Sequence, residues 1–427
     1  MDRARIPEGA GSMGSRPLLG ESTMSFPRSQ AALHGVRVLD LGGEKGAFCA
    51  KLLADMGADV IKVEPPGGDR ARRVGPFLSD LPDPEKSLSF WYNNTSKRGI
   101  TLDIGKPRGQ GIVKSLARTA DVLLDGCGPG YLEGLSLGYE ALTRVNPGLT
   151  LTSISNFGRT GPRRGYLSSD IVAAAMGGQT YICGDTDTGP VTPYGEQACL
   201  VASVFGAIGT LMALRHRRVS GRGQQVDISI HECAVGVTEH VLIRHFYDGV
   251  VARRQGSLHW DNAFRVFPCR DGWVLLSLFG EWDTVVEWLD SEGMAADLKE
   301  ERWRDPEVRR MEVEHVIEVL EGWTRRHRAA ELMEQGQAMH LPWAVVHTLR
   351  DVKGSTQLLE RGFFVEVAHP GEGRSFSYPG APYVLSRTPW RIWKRAPLIG
   401  EHNEGILMGE LGLTAKEMGD LAEEGII

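Results

Sequence analysis

The chain has 427 residues, more than one ordinary core holds, so two domains are expected. A formal net charge of -6, with no Lys/Arg block, excludes an electrostatic case for nucleic acid or a membrane surface as partner. No apolar run reads as long enough to span a bilayer, and six scattered cysteines (Cys49, Cys127, Cys183, Cys199, Cys233, Cys269) without CxxC spacing fit a reducing cytoplasm.

Residues 1–30 are rich in Gly, Ser, Pro, Arg and Met and lack an apolar h-region, so a disordered extension is expected, with Met24 an alternative start. Val36 to Leu41 reads as a strand ending in Gly42-Gly43. Ala47 to Met56 has helical periodicity, and Asp59 to Glu64 reads as a second strand closed by Pro65-Pro66-Gly67-Gly68. This βαβ unit implies a parallel, right-handed crossover. Further strands are expected at 99–104, 120–125 and 149–155, with helices at 107–118 and 139–145. That alternation predicts an α/β fold with a doubly wound parallel sheet and ligands at the strand C-terminal ends. A small-residue apolar helix over 197–217, a strand after Ser220 and helical pattern over 231–248 follow. Near 255 the character changes: a hairpin over 264–278 and charged helices over 281–336 suggest a smaller α+β domain. A last shift comes at 375–427.

One stretch invites chemistry. A Gly/Pro-rich turn from Phe157 leads through Ser168-Ser169 to Asp170, followed by the short apolar run Ile171 to Met176 and Gly177-Gly178. Ser168 or Ser169 would cap a helix starting at Asp170, whose N-terminus favours an ionised, nucleophilic carboxylate. An ordinary capping Asp has the same signature, and local sequence favours it. Other chemistries fit less well. Gly42, Gly43 and Gly46 give GGxxG rather than GxGxxG, a weak opening for an S-adenosylmethionine methyltransferase with Glu64 on the ribose. His231, His240 and His245 lack HExxH spacing, so no metal site is expected. Ser168-Ser169 lacks the GxSxG elbow of a hydrolase.

Four stretches together resemble the class III CoA-transferases, the family of formyl-CoA transferase and carnitine CoA-transferase, to which α-methylacyl-CoA racemase is related. They are Leu52 to Glu64, Asn94 to Asp103 with Ser96-Lys97-Arg98, Ser220 to Ile230, and Pro397 to His402. The resemblance runs from about residue 34 to the C-terminus. It implies a Rossmann-like large domain from both chain ends (31–225 and 376–427), a linker helix at 226–255, an inserted α+β domain at 256–350 and a return linker at 351–375. It also implies an interlocked homodimer. Asp170 falls on the family's catalytic aspartate, which attacks an acyl-CoA thioester to give a mixed anhydride and then an aspartyl-CoA thioester. An acceptor acid reverses the steps. Coenzyme A or acyl-CoA is then the substrate, together with a small carboxylic acid, and no permanently bound cofactor is expected. By motif position, Glu44, Lys45 and Gly46 and the loop Gly126, Cys127 and Gly128 would contact CoA, with Lys97 or Arg98 on a phosphate.

The chain departs from the family pattern in several places. Gly126-Cys127 replaces the usual Asn-Phe. Pro65 stands where some relatives carry a phosphate-binding Arg, so Arg70, Arg72 or Arg73 would substitute. A glycine-rich lid is missing between 250 and 265, which argues against formyl- and oxalyl-CoA. Ser169 rather than His precedes Asp170, and Gly195-Glu196-Gln197 replaces Gly-Asp-Phe, which argues against two-base racemisation. Three alternatives remain: a racemase or isomerase on this fold, a non-catalytic acyl-CoA binder, and the methyltransferase. Arg163 and Arg164 are candidates for a dicarboxylate's second charge, and Glu196 for an assisting group.

Overall fold

The computed structural model describes residues 27–258, 263–278 and 281–427. Its centre is a six-stranded, all-parallel sheet in the order β3-β2-β1-β4-β5-β6. The strands are β1 (Arg37–Leu41), β2 (Asp59–Glu64), β3 (Arg98–Thr101), β4 (Val122–Asp125), β5 (Thr150–Ser155) and β6 (Gln225–Ser229). Strand order reverses between β1 and β4, where Val38 registers with Val60 on one side and Val122 on the other. Loops leave a crevice at such a reversal, outside the strands' carboxyl ends.

Side chains alternate across the sheet with period two, and the two faces bury different cores. Leu39, Ile61, Ile100, Leu123 and Leu151 face helix Pro107–Ala117 and the C-terminal residues Ile406, Leu407, Leu421 and Ile426. Val38, Val60, Val122 and Ile154 face helices Gly43–Asp55, Gln197–Ser220 and Ile230–Gly236. The C-terminal segment thus returns to the first domain's core.

A second core lies in residues 263–345. There β7 (Arg265–Pro268) and β8 (Trp273–Leu276) form the expected hairpin, joined by the unexpected two-residue strand β9 (Ala344–Val345). Trp303, Trp323 and Trp343 are fully buried there.

Several boundaries differ from the sequence reading. Residues 27–30, inside the expected extension, include the helical turn Arg28–Gln30, which Arg28 ties to the carbonyls of Gly57 and Ala58. Residues 1–26 lie outside the described ones. Strand β6 continues past 225, and the linker helix is two helices, Ile230–Gly236 and His240–Asp248, broken at Glu239 with φ 55°. The return linker contains two short helices and β10 (Phe364–His369), which pairs with β11 (Arg374–Pro379) and packs on Phe90 and Trp91.

Helix Gln197–Ser220 corrects another expectation. By length and composition its 24 residues are apolar enough to cross a membrane. In the fold, its small residues Ala198, Ala202, Ser203, Gly206, Ala207 and Thr210 are buried against β5 and helix Gly43–Asp55. A Cβ on Gly206 would come within 2.9 Å of Ile154, so close approach explains the glycine. The opposite stripe, Val204, Phe205, Ile208, Leu211 and Met212, is exposed.

Candidate active site

The loop after β5 is fixed to the strand ends before it reaches Asp170. Arg159 Nη1 bonds Asp125 Oδ2 at 3.0 Å and Ser153 Oγ at 3.1 Å, its other nitrogen meets Glu133, and its backbone N–H donates to Asp227. Helix Asp170–Met176 then begins and stops as expected, with Gly178 at φ 86°. Its expected serine cap is not made: Ser169 occupies the N-cap without a side-chain bond, and Ser168 Oγ donates to the Ser169 carbonyl instead.

What holds Asp170 lies elsewhere in the chain. The half-buried carboxylate accepts, through Oδ1, the backbone N–H of Cys199 at 2.8 Å. Cys199 is the third residue of helix Gln197–Ser220, whose N-cap residue, Glu196, makes no capping bond. A first-turn N–H has no intrahelical acceptor, so Asp170 acts as a remote cap on a 24-residue helix. No signal short of the tertiary contact pairs these residues.

Glu196, left open by the sequence, is brought to the same place. Its carboxyl is pushed up by partial burial and by the neighbouring charges of Glu44 and Asp170. Glu44 and Glu196 share a small cavity with Asn93, Asn94, Ser89 and Phe90. Arg163 and Arg164 remain exposed on the loop.

The crevice between β1 and β4 is bounded by glycines with a steric reason. A Cβ on Gly126 would lie 1.8 Å from the Gly42 carbonyl oxygen, so backbone contact excludes the Asn common in the family. Gly128 sits at φ 99°. Glu44 and Lys45 lie in the first turn of helix Gly43–Asp55, beside this crevice, and the Lys45 carbonyl accepts from Ser203 Oγ at 3.1 Å. Gly46 is different: it is buried and its N–H donates to Gly42 O at 3.0 Å, which removes it as a backbone donor to CoA. Cys127 is exposed at the mouth as a residue, but its thiol is part-buried against the Leu41 carbonyl and is pushed up to about 12 by burial and by Asp125.

A cavity of about 350 Å³ opens at the strand ends, lined by residues that include Gly43, Glu64, Arg70, Asp103, Cys127 and Tyr131. Its cation is Arg70. Lys97 and Arg98, both expected near phosphate, are committed elsewhere. Lys97 is fully buried, with Nζ 2.8 Å from Asp40, 2.7 Å from Asn94 Oδ1 and 2.9 Å from the Ala47 carbonyl. An ammonium has three donors, and all three are taken. Arg98 forks onto Asp59 at 2.6 and 2.8 Å and also meets Glu410. Arg72 is buried against Glu64 and Glu85. Glu64 is held in turn by the Arg72 fork and by the Asp69 N–H, a structural commitment that weakens its case as the ribose acceptor of a methyltransferase.

The family model for CoA-transferase family III matches residues 33–403. The chain belongs to that family. It is 35% identical to the succinyl-CoA:(R)-benzylsuccinate CoA-transferase subunit BbsE of Thauera aromatica, covering 92% of this chain and 97% of that one. It is 34% identical to the succinyl-CoA:mesaconate CoA-transferase of Haloarcula hispanica (88% and 96%). It is 30% identical to the formyl-CoA:oxalate CoA-transferase of Streptomyces coelicolor (93% and 99%). A CaiB/BaiF family protein from Brucella suis superposes with a TM-score of 0.81 at 26% identity, covering 89% and 99%. The protein is thus a class III CoA-transferase, an enzyme whose relatives move CoA between acyl-CoA thioesters and carboxylic acids.

Proposed function

We propose that Asp170 is the nucleophile of an acyl-CoA:carboxylate CoA-transferase working through aspartyl anhydride and aspartyl-CoA thioester intermediates. The observation that carries this reading is the half-buried Asp170 carboxylate fixed at 2.8 Å on the first turn of helix Gln197–Ser220. A carboxylate so placed is held oriented, and as an anhydride it is an excellent leaving group. CoA lies across the β1–β4 crevice, near the first turn at Glu44 and Lys45 and near Gly126, Cys127 and Gly128. Arg70, lining the strand-end cavity, takes a phosphate.

Two of the named relatives act on succinyl-CoA with a dicarboxylic acid, which supports a small dicarboxylate for this chain, its second charge met by Arg163 or Arg164. A formyl-CoA:oxalate relative is 30% identical, against 35% and 34% for those two, and part of the 250–265 segment, residues 259–262, lies outside the described ones. The exposed apolar stripe of helix Gln197–Ser220 supports an interlocked homodimer that covers it. Six free cysteines support a reducing, cytoplasmic setting.

The test is direct. Incubation with succinyl-CoA, hydroxylamine trapping and peptide mass spectrometry should find a hydroxamate at Asp170, absent in Asp170→Ala. Reversible CoA binding with no adduct, and an Asp170→Ala variant as active as wild type, would sink the proposal. α-Deuterium exchange in an acyl-CoA without acid exchange would favour a racemase.

A further inference from the structure

We propose that the backbone N–H of Cys199 is a catalytic donor in the transfer. It would hold Asp170 Oδ1 while the carboxylate attacks, and then stabilise the oxyanion that forms when Asp170 is itself attacked. This inference rests on Asp170 being the nucleophile.

The chemistry makes Asp170 change roles. One carboxylate oxygen attacks the thioester carbonyl carbon, the C–S bond breaks, and CoA leaves as thiolate with a mixed anhydride on Asp170. The thiolate then adds to Asp170 Cγ. Its electron pair pushes the π electrons of the Cγ carbonyl onto oxygen, and collapse of that tetrahedral species expels the donor acid as carboxylate. The acceptor acid adds to the same carbon of the aspartyl-CoA thioester and repeats the sequence in reverse. At each addition to Cγ, negative charge appears on the Asp170 oxygen that is not exchanged. A donor already aimed at that oxygen acts without reorganisation.

Three features of Cys199 suit that task. Its N–H lies 2.8 Å from Asp170 Oδ1, inside the range for an oxyanion donor. As the third residue of helix Gln197–Ser220, its N–H has no intrahelical acceptor to compete. The donor is also neutral, so it orients the resting carboxylate without the neutralising ion pair that a lysine or arginine would form. The Cys199 thiol faces the same carboxyl group and is held in its protonated form by burial and by Asp170 and Glu196. It adds a weaker second donor.

Main-chain and side-chain contributions separate by mutation. Cys199→Ala keeps the N–H and removes only the thiol, so its loss in kcat should be at least about tenfold smaller than that on losing the N–H, because a thiol is a weak donor. Cys199→Pro removes the N–H where proline is tolerated, in the first helical turn. It should lower kcat by about 10²-fold with KM for acyl-CoA little changed. The decisive readout is the rate at which hydroxylamine cleaves preformed aspartyl-CoA thioester, since that reports attack on Asp170 Cγ alone. It should fall in parallel with kcat. Should the proline variant not fold, an α-hydroxy acid incorporated at position 199, which replaces the amide by an ester, carries the same comparison. Cleavage at the wild-type rate in a folded variant lacking this N–H would overturn the oxyanion role and leave the nucleophile intact. Absence of any Asp170 adduct in the wild type would overturn the nucleophile itself.

Discussion

Lys97→Met separates a buried strut from a phosphate ligand. The ammonium and Asp40 are both fully buried, and Nζ also holds Asn94 and the Ala47 carbonyl. Methionine fills the volume but leaves a carboxylate and two neutral acceptors unpaired. Breaking a buried pair from one side costs about 3–5 kcal/mol. At about 1.4 kcal/mol per decade, the folded-to-unfolded ratio should fall by two to three and a half orders of magnitude. Equilibrium urea unfolding would show the loss, and KM for acyl-CoA, measured where the variant is still folded, should move less than twofold. The double variant Asp40→Asn/Lys97→Met should regain at least half of the loss, because the carboxylate that Lys97 neutralised is gone as well. Unchanged stability with a large rise in KM would refute the structural role and restore Lys97 as a phosphate contact.

Three further outcomes follow from the same geometry. Arg70→Ala should raise KM for acyl-CoA about tenfold, the scale of one charge-assisted contact, and have a smaller effect with a pantetheine thioester that lacks the nucleotide. Cys127, though exposed, should alkylate slowly at neutral pH. Its rate should still be climbing above about pH 9, where an ordinary thiol levels off, because its thiol titrates near 12. Glu196 is raised from its ordinary 4.5, so its favourable term is present below that pH and is lost as pH rises through its folded value. Glu44→Gln removes one cause of the rise, so the fall in urea midpoint between about pH 4.5 and 7 should be smaller in that variant.

By itself the chain determined what depends on near neighbours. Short strand-like runs bounded by glycine- and proline-rich turns placed β1, β2 and β5 to within a residue, because turn chemistry is local. Gly177-Gly178 stopped the Asp170 helix where expected, because a positive φ needs no distant partner. Four spaced motifs were enough for the family. Tertiary structure alone decided who meets whom. Asp170 caps the helix that carries Cys199, twenty-nine residues on, while its own helix goes without the expected serine cap. Lys97 and Arg98, adjacent and both basic, go respectively to a sealed core and to a surface fork, because the strand turns successive side chains to opposite faces. Gly126 reads as a lost family contact until Gly42 appears against it across the sheet. A hydrogen bond or a steric contact between distant residues leaves no periodic trace in either segment, so composition and pattern cannot report it.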